Sequence, residues 1–568
     1  MSAGRRFSFV TRTLPLWLLL AVVFGLTYTQ APLYYSNQNQ YFLHGLAQGG
    51  MGHLAEDWLA NTRDPTPFFT ALIAVTYRLL PEWIFYVYYW LVLGVYCYAL
   101  AWLYVIVASG GRQPPEGQLA TEASMSLRGL TPPARLGLLL FLFLFMLLHS
   151  GLVRWASGQT FGVDYPWYFQ AGIAGQYILG PTFQPSTFGV LLVLAIVLFA
   201  ADRPLLAVTV SSLGGVLHAT YLLPAAMLTV AFMYVHWREG RRRELLLTPV
   251  LALAIVTPAV LLHFGNFAPT SAEQFAETQR LLARYRIPHH CDVDAFFDVI
   301  AGLQLAWIVL AIILVRGTRL FPVLVIPSLL AAVLSAVQIA TDSDGLALLF
   351  PWRLSSVLVP VATAIILARL VLLVAPRLAA LANRPRVVVQ GALAVGMLAL
   401  AVSGAVINLY GLGYRGSNDE AEMIAWVKEN KAAGDVFLVP VELPKPSGKP
   451  GASSSDFRPL SARKRGTGLI PIELQRFRLA TGAPIVVDYK SIPYQDVEVL
   501  EWYERVQKNL RFYQQVAASD PNMGKELFAA HRVTHVITRA QETLLWPGAT
   551  LVHEDPNYRI YRLDRSDQ

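Results

Sequence analysis

Side chains able to do polar chemistry are gathered in a few short stretches of this 568-residue chain. The run SNQNQYFLHGLAQGGMGHLAEDWLANTRDPTP at 36–67 sets amides and glycines ahead of two adjacent carboxylates, Glu56 and Asp57. Such carboxylates take a proton from an attacking hydroxyl, ligate a metal ion, or cap a helix. GQTFGVDYPWYFQAGIAGQYILGPTFQPST at 158–187 is rich in rings and amides, with one acid, Asp164, and Gln184 near its end. Rings cover the C–H faces of sugars and amides bond their hydroxyls; the same composition also makes an interfacial belt. RLLARYRIPHHCDVDAFFD at 280–298 supplies Arg284, Arg286, His289 and His290, followed by Asp292 and Asp294. Arginines hold phosphate, and imidazoles beside carboxylates are either metal ligands or structural hydrogen-bonding groups. A divalent cation bridging phosphates is one cofactor this set would allow. TDSDGLALLFPWR at 341–353 ends in Arg353, and the segment at 477–505 gathers Arg478, Asp488, Lys490, Tyr494 and Trp502. There Lys490 is placed to reach a phosphate or an acceptor, or to join a surface salt-bridge set.

The elements that must position these residues are mostly apolar. The chain is 55% hydrophobic and 14% charged, with a mean hydropathy of +0.45, a composition no water-soluble surface of this size tolerates. Its net charge of +8 sits mainly in short loops between apolar runs, where membrane topology explains it, so nucleic acid is not an expected partner. Cys97 and Cys291 form neither a disulfide framework nor a metal motif. Dinucleotide, P-loop and nucleophile-elbow signatures are absent from the sequence.

The first apolar run, 14–29, follows Arg5, Arg6 and Arg12 and lacks a small-x-small cleavage site, which predicts an anchor with a cytoplasmic N-terminus. Further runs at 83–108, 136–153, 185–201, 246–266, 298–316, 320–340, 353–375 and 387–409, plus a hairpin broken at His218 within 203–238, bring the expected crossings to eleven. His218 would cap a helix end or face outward at that break. The run 68–80 carries Arg78 and is too short to span comfortably. Laid flat on the outer interface, it places Arg112, Arg128, Arg135, Arg203, the REGRRR of 238–243, Arg316, Arg319, Arg377, Arg384 and Arg386 inside. The loops 31–82, 154–184, 267–297 and 341–352 then lie outside, so Arg284, Arg286 and Arg353 stand against the positive-inside bias. A lipid mono- or diphosphate headgroup would explain them, as would snorkelling to anionic lipid. Residues 1–409 thus read as a transmembrane domain and 410–568 as an extracytoplasmic α/β domain. In the latter we expect a helix opened by Ser417-Asn418-Asp419-Glu420 and ending near Lys431, strands at 435–441, 485–489, 534–538 and 558–563, a flexible 444–455, and a helix from Gln495 to about Gln515.

This layout of an N-in first helix, a long acid-bearing outer loop, an interfacial helix entered through prolines, many later helices and a C-terminal extracytoplasmic α/β domain resembles the GT-C class of membrane glycosyltransferases. Members of that class open the first outer loop with an acidic pair, then Tyr, Gly and a Pro-rich helix entry. Here Asn37-Gln38-Asn39-Gln40-Tyr41 stands at the acidic pair, Gly45 and Gly49-Gly50 follow, and Asp64-Pro65-Thr66-Pro67-Phe68 takes the Pro-rich entry. The departure matters because amides such as Asn37 and Asn39 bind a sugar or phosphate but cannot accept the hydroxyl proton. Glu56, Asp57 and Asp164 are the remaining candidates for base or metal ligand. The resemblance further implies that Arg353, entering a span from outside, holds a lipid-linked phosphate. It implies transfer of a sugar from a polyprenyl-phosphate donor to a lipid or glycan acceptor at the outer face of a bacterial inner membrane, in cell-envelope assembly. A non-catalytic relative that binds glycolipid or scaffolds envelope assembly is the alternative for which the amides argue. A transporter or flippase would instead need charges deep in spans and internal repeats.

Overall fold

The computed structural model describes residues 3–109, 132–380, 383–410, 419–441, 443, 472–516 and 522–564. The expected positions of Arg112 and Arg128, the Ser417-Asn418 half of the helix cap and the stretch 444–455 lie outside them. Among the described residues six helices are long and apolar enough to cross a membrane: Ile84–Ala108, Ala219–Arg238, Arg242–Asn266, Leu320–Thr341, Asp344–Leu378 and Val387–Tyr410. A seventh candidate is the pair Ala134–His149 and Gly151–Phe161, bent by 51°. Shorter apolar helices occupy Leu14–Tyr28, Pro67–Leu79, Pro185–Ala200, Pro204–Leu217 and Val299–Leu314. The protein is an integral membrane protein.

The bend corrects the straight run expected at 136–153. Ser150 takes an extended conformation and its Oγ accepts the N–H of Val153 at 3.2 Å, so the chain caps a new helix in mid-run. Phe161 then ends that helix before Gly162 turns left-handed at φ 68°. The run expected at 68–80 forms a helix, Pro67–Leu79, with Pro at its first position, where a missing N–H costs nothing.

Two polar sets mark the ends of the helical bundle. At one end Gln30 N–H donates to Asn408 at 2.8 Å and Gln30 Nε2 to the carbonyl of Tyr86 at 3.1 Å. Helix Pro185–Ala200 begins at that end, since Phe183 and Tyr88 meet with ring centroids 5.8 Å apart. At its far end Asp202 accepts from both Arg241 and Arg319, which also reach Glu244 and Glu239. The basic loops around 202, 239–244 and 319 therefore share one side.

Among the described residues the C-terminal part contains a four-stranded sheet in the order β1-β2-β4-β3. Strand β1 (Phe437–Leu438) runs parallel to β2 (His535–Arg539), while β4 (Tyr558–Leu563) is antiparallel to β2 and to β3 (Ala549–Glu554). Alternation along β2 sends Val536 to a core with Trp502, Val506 and Phe512, and Ile537 to another with Met423, Val427 and Phe477. Helices Ala421–Asn430 and Asp496–Val516 contribute to opposite faces. Sequence alternation finds β4 at its true limits and misses β3. It also overcounts: IVVDY makes one isolated bridge, at Ile485, because its polar backbone bonds elsewhere.

Candidate functional site

A buried ion chain ties the opening loop to the C-terminal sheet. Asp57 exposes none of its surface. Its Oδ1 accepts the N–H groups of Leu59 at 2.9 Å and Ala60 at 3.3 Å. Its Oδ2 accepts Arg478 Nε at 2.8 Å and the N–H of Ile485 at 3.0 Å. Arg478 continues to Asp488 at 2.7 Å, which caps Ser491. Four donors fill the lone pairs that a base would need, so Asp57 holds structure. Beside it His53 N–H donates to Gly482 O at 2.8 Å. Gly52 and Gly482 are both left-handed there, and a Cβ on Gly52 would strike the Gly482 carbonyl.

Two further arginines, Arg286 and Arg353, make no ion pair among the described residues. Arg286 ends a π-helical turn, Leu281–Arg286, and is 6% exposed. Its Nη2 donates to the carbonyl of Lys490 at 2.6 Å, and its guanidinium carbon lies 5.0 Å from the Tyr489 ring centroid. Arg353 sits in the turn Pro351–Leu354, aimed by Phe350 at φ 50°. It donates to Tyr221 Oη at 3.2 Å, its guanidinium carbon 4.9 Å from that ring. Both Nε atoms are buried without a hydrogen-bond partner, and among the described residues no carboxylate contacts either group. Burial pushes the Arg286 pKa down, opposed in part by Tyr489, Tyr494, Asp488 and Tyr41. The positive charges of both arginines reach Tyr41, whose pKa burial raises. Gln40 Nε2 donates to Tyr494 Oη at 2.7 Å, joining the amide run to the C-terminal part. Asn37 Nδ2 lies 3.4 Å from Tyr177 Oη.

Histidines complete the lining. His290 Nδ1 is 2.8 Å from the carbonyl of Ala174, in a loop where Ala174 itself is left-handed at φ 60°. The His289 ring centroid is 4.1 Å from that of His290. His289 is exposed, yet its imidazole pKa falls to about 3 through desolvation and the charges of Arg286 and Lys490. His290 is also held well below its ordinary range, by burial first and then by His289, Arg353 and Lys490. His218, at the break in the 203–238 hairpin, lies between Tyr41 and Tyr221, with ring centroids 5.9 and 5.6 Å away.

The remaining expected residues are placed elsewhere. Glu56 is solvent-facing and accepts Gly434 N–H at 2.8 Å. Asp164 accepts Arg154 Nε and Nη2 at 2.9 and 2.8 Å and caps Trp167, fixing the chain after the bend at Ser150. Arg284, half exposed, bridges Asp342 and Asp344 at 2.8 Å each, so a pair of loop acids accounts for it without a phosphate. Gln184 bonds Ser186 inside the bundle and Asn39 bonds Ser36 O; both are buried. Asp292 caps Asp294, and among the described residues no three His, Cys, Asp or Glu groups are gathered to hold a metal ion. Sequence reasoning quoted Tyr41 and Tyr494 without assigning them, and passed over Tyr177 and Tyr221. Tyr221 carried a usable signal, standing three residues beyond a His that interrupts an apolar run.

Residues 464–508, which include Arg478, Asp488, Lys490 and Tyr494, match a family described as a domain of unknown function, DUF6798. Comparison with curated proteins finds no match. Among solved structures the chain is similar to ArnT from Cupriavidus metallidurans bound to undecaprenyl phosphate. That likeness covers 100% of this chain and 99% of the other, with 13% identity and a TM-score of 0.33.

Proposed function

We propose that the protein binds a polyprenyl-phosphate-linked sugar in the cleft between the helical bundle and the C-terminal part, and transfers the sugar to a lipid or glycan acceptor. One observation carries this reading: Arg286 and Arg353 are held near a common tyrosine, with their Nε atoms buried and unpartnered and, among the described residues, no carboxylate in contact with either. Each unmet buried donor costs about 1–3 kcal/mol, more when charged, and a phosphate would remove that cost. In the reaction the anomeric carbon leaves the phosphate oxygen, and the charge left there is stabilised by the two guanidinium groups. Amides and rings at Asn37, Gln40, Tyr177 and Tyr494 supply hydroxyl-bonding and C–H-covering surface for the sugar.

In this reading the bundle crosses the inner membrane eleven times, counting the bent pair once and the shorter helices Leu14–Tyr28, Pro185–Ala200, Pro204–Leu217 and Val299–Leu314 as spans. The Asp202–Arg241–Arg319 side is cytoplasmic, as is the N-terminus. The cleft and residues 410–568 are extracytoplasmic. The test is binding of polyprenyl phosphate to purified protein by calorimetry. Arg286→Ala and Arg353→Ala should each weaken it by about 2–5 kcal/mol, the range for losing one partner of a desolvated pair. Equal affinity in both variants would reassign the arginines to snorkelling. A second reading, a glycolipid binder without turnover, is favoured by the placement of Glu56, Asp57 and Asp164 away from the cleft. Labelled polyprenyl-phosphate sugars separate the two, since only a transferase releases the label to an acceptor or to water.

A further inference from the structure

With the acids committed elsewhere, the transfer proposed above still needs a group to take the acceptor's proton. We infer that His290 is that general base, acting through Nε2, an inference that rests on the phosphate cradle of Arg286 and Arg353. The bond to Ala174 decides which nitrogen is available. A carbonyl only accepts, so Nδ1 carries the hydrogen and Nε2 keeps its lone pair. Among the described residues Nε2 has no hydrogen-bond partner, and it is not sealed among the buried unpartnered atoms. The left-handed loop at Ala174 and the ring of His289 hold the imidazole in place. Among the described residues the rings of His218 and His289 lack this lock: His218 lies edge-on to Tyr41 and Tyr221, and His289 is tilted against His290.

Acid–base balance follows. The acceptor hydroxyl oxygen forms its bond to the anomeric carbon as the bond from that carbon to the phosphate oxygen breaks with its electron pair. The hydroxyl proton passes to Nε2, the phosphate leaves as an anion against Arg286 and Arg353, and the imidazolium then returns its proton to water. Asp292 and Asp344 act on the adjacent Cys291, while on His290 itself burial comes first and then the charges of His289, Arg353 and Lys490. These charges, added to burial, make the imidazole a weak base. A bound phosphate offsets them and raises its basicity, so the base strengthens when donor is present.

Two measurements test this, and their failures are distinguishable from failure of the cradle. Full-length protein labelled with ¹⁵N-histidine is titrated with polyprenyl phosphate by NMR, with His290 assigned through His290→Gln, or through His290→Asn where the first does not fold. The expected spectrum at about pH 7 shows hydrogen on Nδ1 and a bare Nε2, with proton affinity rising about tenfold or more when the probe binds. Hydrogen on Nε2, or an affinity the bound probe leaves unmoved, overturns the assignment. A probe that fails to bind overturns the cradle instead. Turnover is then followed with polyprenyl-phosphate glucose, mannose and arabinose. His290→Gln keeps a donor for Ala174 and should lose roughly 10²–10⁴ in kcat with probe affinity unchanged, and added imidazole should partly restore His290→Ala. Turnover in His290→Gln within about threefold of wild type rejects His290 as the base, as does a wild type that binds the probe and cleaves none of the three donors.

Discussion

Adjacent residues of one loop have opposite fates here. Glu56 and Asp57 look interchangeable in the sequence, yet Asp57 is sealed against Arg478 and Glu56 faces solvent. Asp57→Asn should therefore lower thermal stability by about 3–5 kcal/mol, as breaking a buried ion pair does, while Glu56→Gln should stay within about 0.5 kcal/mol. Differential scanning fluorimetry in detergent checks both, and equal melting temperatures would remove Asp57 from the clasp. The histidines set a pH dependence. Their folded pKa lies below the unfolded value near 6.5, so their stability contribution is present above about pH 6.5 and is lost as pH falls toward the folded pKa. Melting temperature should thus drop between about pH 7 and pH 5, at no more than about 1.4 kcal/mol per pH unit for one group. His290→Gln should flatten that slope, and a slope identical in the variant would show that His290 titrates as an ordinary imidazole.

Among the elements, the broken helix around Ser150 positions the most. Its second half carries Arg154, 2% exposed, across to Asp164, and the guanidinium carbon lies 4.6 Å from the Trp167 ring centroid. This ties the aromatic loop 158–187 to the bundle. Asp164→Asn leaves the buried guanidinium without its counter-ion and should cost about 3–5 kcal/mol in melting experiments, before any effect on turnover. If Asp164→Asn melts like wild type but is inactive, Asp164 returns as a candidate base. Legibility at this scale was uneven. Apolar runs long enough to span mark most helices because lipid demands them, whereas the kink depended on one serine's ψ angle, which no hydropathy pattern records.

For the whole molecule, the orientation rests on the charged loops. Asp202, Glu239, Arg241 and Arg319 form one network, so their loops share a side, which the proposed orientation puts in the cytoplasm on the positive-inside bias. A reporter fused at residue 240 should be cytoplasmic and one after residue 568 external. An external signal at 240 would invert the bundle and move the cleft to the wrong face for the proposed reaction. The C-terminal part also contributes to the site, because Lys490 O and Tyr494 Oη meet Arg286 and Gln40.

The sequence alone determined that the chain lives in a membrane, roughly where its helices run, and that Arg284, Arg286 and Arg353 needed an explanation. These follow from local rules, hydrocarbon thickness and the cost of charge near lipid, which act on short stretches. Only the tertiary structure decided which charges stay unpaired. Arg284 meets Asp342 and Asp344 from a loop about sixty residues on, and Asp57 meets Arg478 from the other end of the chain. A charge becomes a binding group when folding leaves it without a counter-ion, and that depends on every distant residue that could have supplied one.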